Sequence, residues 1–403
     1  MTAIKQTVLL IDRIGYSHYR RPDGRSFFED YEVVVLTDRA KLSQVRGGEI
    51  LAAVGIDIDD VALLESAARL LHERFRVDRI VAVSERLLLP AARLREALGV
   101  PGMGSADTRI FRHKLRMKEH LIAHGVRVPD FAPFTVAHAV TLLEKYPRIV
   151  LKPVDGMSSI GVFVLDSEAS VRRLAQERPD LNEETYDVEQ HIDGMLYHID
   201  TVVSAGTPTA VNVSCLVDPT TSFTTLAPSR SVNLADGPER EALIAFNRQV
   251  LACYPWYSGV THHEVFLDRA GRPVFCEIAA RPGGGGIIAG FQHRTGINLD
   301  EAAVMAQLTG EVPKPTADRT DLTGFVMVYG QPGPLRALPE RPDEPWILEF
   351  DTLRKVGDVL AAPTRWAEAV VLVAVTGRTE HEVTERLDAM ARHAGVAIGT
   401  RAA

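Results

Sequence analysis

The first hundred residues alternate short β-branched runs with longer amphipathic segments, and this alternation constrains the fold more than any other feature. The runs at 8–11, 33–36 and 80–83 are typical of strands. Within 61–75, apolar residues recur at spacings of three and four and share one face of a helix. A further helix ends at Gly99, a typical helix stop. Strands and helices in alternation predict a doubly wound parallel sheet. The apolar face of the first helix consists of Val61, Leu64, Ala68, Leu71 and Phe75.

The rest of the chain changes character after one more helix, which we predict over 107–124. Strand-like runs then follow in close succession, and they are typical of antiparallel hairpins. A capping box at Thr379 and Glu382 begins the last helix, and Gly395 is its predicted stop. These patterns predict a chain of mixed α/β and α+β class. The basic face of the helix over 107–124 carries Arg112, Lys114, Arg116 and Lys118. The predicted strands are 149–152, 162–165, 199–203, 211–215, 260–267, 274–278, 325–329 and 369–375.

Composition excludes several classes of partner and location. The 403 residues carry 45 basic and 53 acidic side chains, and the formal net charge of −8 argues against nucleic acid as a partner. The apolar runs are far shorter than the roughly 18 residues that cross a bilayer, so no membrane partner is expected. The apolar stretch 8–11 is followed at once by Asp12 and Arg13, unlike a signal-peptide core. Three scattered cysteines without a CxxC pattern predict a reducing, cytoplasmic location.

A loop of small residues joins two of the predicted strands. Lys152 ends the first strand, and Gly156, Ser158, Ser159 and Gly161 let backbone N–H groups approach an anion closely. These features predict a phosphate-binding loop, although neither the Walker A nor the Rossmann glycine pattern is present. An ordinary hairpin turn with a surface lysine explains this segment equally well when it is considered alone.

Two glutamates lie on neighbouring strand-like runs joined by a short turn. If the turn centres on Ala270 and Gly271, Glu264 lies directly opposite Glu277 on one face of the hairpin. Like charges in this position destabilise a bare sheet, and a divalent cation removes the conflict. Two carboxylates suit Mg²⁺, which completes its shell with phosphate and water. A turn one residue longer would instead place the two side chains on opposite faces.

Arg281 precedes four consecutive glycines at 283–286. Such a run costs conformational entropy and suits a backbone that wraps a ligand or moves. The guanidinium group could pair with a phosphate or a carboxylate. A flexible loop with a surface arginine is the alternative interpretation.

The connector 188–194 has the character of a purine site. Glu189 and the neighbouring backbone groups of Gln190 and His191 could hydrogen-bond an adenine edge, while Ile192 packs on its face. A plain surface carboxylate is an equally good interpretation of Glu189 alone.

The next predicted strand carries Tyr197, His198 and Asp200. Alternation places His198 and Asp200 on one face, where they could meet a substrate or each other. His262 and His263 suggest zinc, but adjacent strand residues point to opposite faces and cannot easily share one ion. Magnesium is therefore preferred.

The order of these motifs resembles the ATP-grasp superfamily, and in particular its carboxylate-amine ligases, which join amino acids or form dipeptides. The resemblance covers essentially the whole chain and implies an ATP-grasp fold behind an N-terminal doubly wound domain. It implies an N-terminal α/β domain at 1–105, a central subdomain with a phosphate lid at 106–186, and a C-terminal subdomain at 187–403. The matching residues are Lys114, Lys152, Glu189, Ile192, Gly194, Glu264, Glu277 and Arg281.

The resemblance also implies residue roles at the nucleotide. Lys114 and Lys152 would bind the phosphates of ATP, under a mobile lid at 156–161. Residues 189–192 would hold the adenine. Many relatives carry an acidic residue for the ribose hydroxyls after the connector glycine, where Met195 and Leu196 stand here, so the resemblance does not supply a ribose contact.

Further roles follow at the reacting groups. Glu264 and Glu277 would bind Mg²⁺, or Mn²⁺ in its place, although relatives often add an asparagine where Ala279 stands. Arg281 and Arg230 would contact the transferred phosphoryl group. The residues left to recognise the substrates are Tyr197, His198, Ser229, Gly284 and Gly285.

The activity implied is that of an ATP-dependent ligase. It would activate a small carboxylic or amino acid as an acyl phosphate and join it to an amine, releasing ADP and phosphate. An ATP-dependent carboxylase that uses bicarbonate and a nucleotide-binding sensor without turnover are the alternatives. The expected partners are small carboxylates and amines, and a homodimer is the expected assembly.

Overall fold

The computed structural model describes residues 5–398. A parallel four-stranded sheet in the order β3-β2-β1-β4 opens the chain, as its sequence pattern predicts. The sequence pattern missed β3 and the short 3₁₀ turns around it, because neither carries a β-branched run. The elements are β1 (Thr7–Asp12), β2 (Glu32–Asp38), β3 (Ile50–Ile56), α1 (Val61–Phe75), β4 (Arg79–Val81) and α2 (Glu85–Leu98).

Helix α1 covers the parallel sheet with the face that its spacing predicts. Asp60 caps its first turn by accepting a hydrogen bond from the backbone of Leu63. Leu64, Ala68 and Leu71 are buried, whereas Val61 at the first turn is exposed. The buried stripe therefore starts one turn later than predicted.

The predicted helix over 107–124 is two helices, α3 (Ser105–Arg109) and α4 (Lys114–Ala123). The backbone N–H of Lys114 donates to the carbonyl of Val154, 2.7 Å away. The chain thus leaves the helical path and begins again at Lys114. Lys114 and Lys118, which the sequence pattern placed on a basic face of one continuous helix, are both buried.

A small antiparallel sheet follows, in the order β5-β8-β6-β7. Its interior is closed by two short helices. The predicted subdomain boundary after residue 186 falls at the first residue of β8, so the three-part division stays a prediction. The elements are β5 (Phe131–Pro133), α5 (Val136–Leu143), β6 (Ile149–Pro153), β7 (Phe163–Leu165), α6 (Glu168–Glu177) and β8 (Tyr186–Gln190).

An antiparallel eight-stranded sheet forms most of the second half, in the order β13-β12-β9-β10-β11-β14-β18-β16. A two-stranded ribbon of β15 and β17 lies apart from it. Thr379 caps the last helix as predicted, but the helix continues through Gly395. The elements are β9 (Gly194–Ser204), β10 (Thr207–Leu216), β11 (Ser229–Asn233), α7 (Pro238–Leu251), β12 (Gly259–Asp268), β13 (Pro273–Ala279), α8 (Ile287–Thr295), α9 (Leu299–Thr309), β14 (Leu322–Val328), β15 (Gly333–Pro334), β16 (Ile347–Thr352), β17 (Val359–Leu360), β18 (Val371–Gly377) and α10 (Glu380–Ala397).

Candidate active site

Two glutamates face each other across the hairpin of β12 and β13. Glu264 pairs with Glu277 in the strand register, as predicted. The turn differs from the prediction, because the N–H of Asp268 donates to the carbonyl of Arg272 and the loop is one residue longer. A bulge at Cys276 adds a residue to β13 and compensates for the longer turn. The two carboxylates therefore share one face for a reason that the sequence pattern did not reveal.

The glutamates continue a row of polar side chains across the sheet. Glu264 lies opposite His198, and His262 lies opposite Asp200. The Asp200 carboxylate lies 2.7 Å from Nδ1 of His198 and 2.8 Å from Nδ1 of His262, so His198 and Asp200 do meet. Burial alone would lower the pKa of His262, but Asp200 and Glu264 raise it to about 10. His263 lies on the opposite face, as predicted, with its Nδ1 bonded inside the core.

A buried cluster of two lysines and two carboxylates lies beside this row. Lys152 ends β6 with its Nζ 2.6 Å from Oε1 of Glu189, and the Nζ of Lys118 lies 2.6 Å from Oε2. Lys118 also pairs with Asp187. Burial alone would raise the pKa of Glu189, but the lysines lower it to about 2. Each oxygen of Glu189 thus accepts from one lysine and keeps a further lone pair, so the adenine contact stays a prediction.

Lys114 connects the small-residue loop with the paired glutamates. Its position at the start of α4 places its Nζ 3.0 Å from Oε2 of Glu277 and 2.8 Å from the carbonyl oxygen of Gly156. Lys118 lies one turn further along the same face. The spacing of four residues between Lys114 and Lys118 could have indicated that both lysines point the same way. That inference requires a helix that begins at Lys114, which the sequence did not predict.

The loop after β6, which the sequence predicts to bind phosphate, has a strained backbone. Ser158 and Ser159 both adopt φ near +57°, a left-handed conformation that side chains rarely take. Gly156 and both serines line the neighbouring cavity, whereas Gly161 is not among its lining residues. Gly161 instead has φ +72°, and a Cβ there would lie 2.7 Å from the hydroxyl of Tyr186. Its role is to let the loop pass Tyr186.

The first cavity has a volume of about 550 Å³ and lies between the small sheet and the hairpin of β12 and β13. This volume falls within the range of sites for small molecules and cofactors. Amino groups and carboxylates meet at one part of its wall, while aliphatic side chains line other parts. Besides Gly156 and the two serines, the predicted nucleotide and metal residues that line it are Lys114, Lys152, Glu189, Gln190, His191, Ile192, Glu264 and Glu277.

Arg281 is held inside the protein by a carboxylate from the N-terminal sheet region. Its Nε lies 2.8 Å from Oε2 of Glu85, the first residue of α2, and Arg112 pairs with the other oxygen. Burial alone would lower the pKa of Arg281, but Glu85 raises it above its ordinary value. The same cluster lowers the pKa of Glu85 to about 2, although burial alone would raise it. Nothing in the local sequence marks Glu85 as a partner of Arg281, so its role was not predicted.

A second cavity of about 540 Å³ adjoins the first, and Glu264 and Glu277 line both. Arg281, Arg230, His198, Ser229, Gly284 and Gly285 also line the second cavity, as their predicted roles require. Tyr197 does not line either cavity, because strand alternation turns it into the core beneath α7. Arg230 is fixed by Asp218, at 2.7 and 2.9 Å, and by Asp388. Hydrogen bonds from Arg230 to Asp218 raise the pKa of this arginine above its ordinary value.

Known proteins share both the N-terminal sequence pattern and the fold. Residues 31–102 match the family model of the ATP-grasp N-terminal domain. The structure superposes on an L-amino acid ligase from Bacillus licheniformis with a TM-score of 0.74 and 20% identity, over 99% of both chains. The chain thus has the ATP-grasp fold. A curated relative of this ATP-grasp protein, the L-arginine-specific L-amino acid ligase of Bacillus subtilis, is 25% identical over 325 residues. That match spans 75% of this chain and 76% of the relative.

Carboxylases share the ATP-grasp fold as well. The biotin carboxylase domain of a Hydrogenobacter thermophilus 2-oxoglutarate carboxylase, solved as a dimer with MgADP, ADP and bicarbonate, gives a TM-score of 0.71 at 14% identity. The match covers 95% of this chain and 89% of that domain. The predicted ATP-grasp fold is thus confirmed, and the ligase relatives agree with the predicted formation of C–N bonds. Across residues 5–398, no helix is both long and apolar enough to span a bilayer.

Proposed function

We propose that this ATP-grasp protein is an ATP-dependent ligase that activates one amino acid as an acyl phosphate and joins it to the amine of a second. The observation that carries the proposal is the pair of adjoining cavities with Glu264 and Glu277 in their common wall. A nucleotide in the first cavity would place its terminal phosphate where a carboxylate in the second could reach it. The curated amino-acid ligase relative supports amino acids as the substrates.

The first cavity would take ATP with its phosphates toward Lys114 and Lys152. The two facing glutamates fit a hard divalent cation, because their like charges oppose each other in the strand register. Within residues 5–398, Glu277 forms one ion pair, with Lys114 at 3.0 Å. Mg²⁺, or Mn²⁺ in its place, would neutralise charge on the phosphoryl groups when bound there. The backbone of 190–192 would contact the base, and the loop at 156–161 would cover the phosphates.

The chemistry then needs two displacements. A carboxylate oxygen of the first substrate attacks the γ-phosphorus, and the bond from that phosphorus to ADP breaks. The amine nitrogen of the second substrate attacks the carbonyl carbon, phosphate leaves, and the amine gives up a proton. Arg281 would stabilise the charge on the transferred group, because Glu85 holds its guanidinium at the cavity wall. Arg230 would contribute to the same anion site.

The carboxylase alternative shares the fold and differs in the acid that is activated. The curated amino-acid ligase relative favours an amino acid over bicarbonate as that acid. Phosphate release from MgATP should therefore depend on amino-acid pairs and not on bicarbonate, with dipeptides detected by mass spectrometry. Phosphate release with bicarbonate alone would favour the carboxylase.

The Glu277→Gln variant tests the site itself. We expect phosphate release to fall by about 100-fold to 1,000-fold, the cost of losing one preorganised charged contact to the reacting group. Glu311→Gln, a change at an exposed acid far along the chain, is the matched control and should retain full activity. Unchanged turnover in Glu277→Gln would contradict the assigned site, and absence of turnover in the wild type would favour the sensor.

Assembly and location complete the proposal. We propose a homodimer, which light scattering after gel filtration would test. All three cysteines, Cys215, Cys253 and Cys276, are free thiols in the structure, which supports a reducing cytoplasm.

A further inference from the structure

One carboxylate in the second cavity has no partner in residues 5–398. Asp300 lies in the first turn of α9, where Asn298 caps the helix through the backbone N–H groups of Asp300 and Glu301. The Asp300 side chain is 8% exposed and forms neither a hydrogen bond nor an ion pair with any described residue. It lines the second cavity outside the part that the first cavity shares.

The other charged groups of this cavity differ from Asp300, because each has a partner. Glu85 holds Arg281, Asp218 holds Arg230, and Lys114 lies 3.0 Å from Glu277. Oε1 of Glu264 lies 3.7 Å from His262. Asp300 is thus the single lining carboxylate for which the described residues supply no cationic neighbour.

The surroundings of Asp300 make the lack of a cationic neighbour unusual. Much of the remaining wall is apolar and includes Ile14, Leu353, Trp366 and Leu372. Burial raises the pKa of Asp300 to about 6. An ionised carboxylate in such a place is costly until a cation pairs with it, and the pair then interacts strongly because little water screens it.

We propose that the carboxylate of Asp300 binds a cationic nitrogen of the amino-acid substrate, either its α-ammonium group or an ammonium or guanidinium group at the end of its side chain. The identification of the ligand as an amino acid rests on the proposed function. The carboxylate that reacts would lie toward Glu264 and Glu277, and the cation toward α9. Asp300 would then select the substrate and fix its orientation without touching the reacting atoms.

Binding of three probes to Asp300→Asn tests this inference. L-Arginine, its neutral analogue L-citrulline and 5-guanidinopentanoic acid, which lacks the α-amino group, are titrated calorimetrically into protein with Mg²⁺ and a nonhydrolysable ATP analogue. We expect the variant to weaken at least one cationic interaction by about tenfold to a hundredfold, the usual contribution of a charged hydrogen bond.

The probes distinguish the two cationic groups. If the variant loses affinity for arginine and 5-guanidinopentanoic acid but not for citrulline, Asp300 binds the cationic group at the end of the substrate's side chain. Equal loss for arginine and citrulline, with the deamino compound unchanged, assigns it to the α-ammonium group. Affinities within twofold of the wild type for all three, or no binding of any probe to the wild type, would overturn the inference.

Glu301→Gln is the matched control, because it removes the same charge from the same helix turn. Glu301 bonds Arg21 at 2.7 Å and does not line the cavity. Its probe affinities should equal those of the wild type. Melting temperatures of both variants show whether they fold. Wild-type protein that binds the probes through Asp300 but releases no phosphate from ATP would contradict the ligase function and leave this inference intact.

Discussion

The two cavities differ in how the protein compensates buried charge. In the first cavity, Lys152 and Lys118 face Glu189, and Lys114 faces Glu277. In the second cavity, Asp300 faces no cation among residues 5–398. The first cavity is therefore organised by the protein before any ligand arrives, whereas the second depends on a ligand to complete its charge balance.

This difference teaches where each site gains its selectivity. A phosphate chain entering the first cavity meets amino groups whose positions are already fixed by internal carboxylates, which reduces the entropy lost on binding. An amino acid entering the second cavity would instead remove an electrostatic cost that the empty protein carries. Substitutions in the two places should consequently have opposite effects on stability.

The largest effect should come from Glu189→Gln. Removing this charge leaves Lys118 with Asp187 alone and Lys152 without its closest partner. Breaking a buried ion cluster in this way should lower the free energy of unfolding by about 3–5 kcal/mol. Urea denaturation measures the loss, with Glu184→Gln at an exposed position of the same region as the control. A loss below about 1 kcal/mol would mean that the cluster does not organise the first cavity.

Asp300→Asn should have the opposite sign, with an effect that depends on pH. The folded state raises the pKa of Asp300 from 3.8 to about 6, so folding binds its proton more tightly. Its contribution to stability is full below pH 4 and is lost as the pH rises through about 6. The difference between the two pKa values corresponds to about 3 kcal/mol of free energy. At pH 7 to 8, the free energy of unfolding of the variant should therefore exceed that of the wild type by up to this amount.

Unfolding curves at pH 4 and pH 8 without substrate give this comparison directly. The variant and the wild type should converge at the lower pH, where Asp300 is protonated. A variant that is less stable than the wild type at pH 8 would show that Asp300 has a structural partner, and the contrast between the cavities would fail.

The paired glutamates show how far the sequence predicts the site. Strand alternation and the acidic pair were readable, so the facing of Glu264 and Glu277 was predicted. The length of the turn was not predicted correctly, and a bulge at Cys276 restores the pairing of the two glutamates. A bulge depends on how the whole strand fits its neighbours, and local sequence does not record that fit.

Lys118 and Asp300 show where prediction from the sequence ends. The helix begins again at Lys114, whose N–H donates to the distant Val154, and the local sequence does not record this new start or the helix phase that buries Lys118. Asp300 has the sequence context of an ordinary acidic residue in the first turn of a helix, favourable to the helix dipole. Its position in the cavity wall follows from the packing of α9 beside the cavity, which the local sequence does not record.

The smallest effect concerns the loop after β6, several residues of which line the first cavity. Gly161→Ala combines a left-handed φ of +72° with a Cβ placed 2.7 Å from the hydroxyl of Tyr186, whereas Gly125→Ala at φ +75° meets nothing within 4 Å. The left-handed conformation alone should cost about 1 kcal/mol, so Gly125→Ala is the control. The contact should bring the cost of Gly161→Ala to about 2 kcal/mol in urea denaturation.

Nucleotide affinity measured on the same two variants separates packing from function. Tyr186 begins β8, and moving it would shift the loop that carries Gly156 and the two serines of the cavity wall. Gly161→Ala should therefore weaken MgADP binding severalfold, while Gly125→Ala leaves it unchanged. Equal stability losses for the two variants, or unchanged MgADP affinity in Gly161→Ala, would show that the loop tolerates displacement and that the first cavity is less rigidly built than its ion pairs indicate.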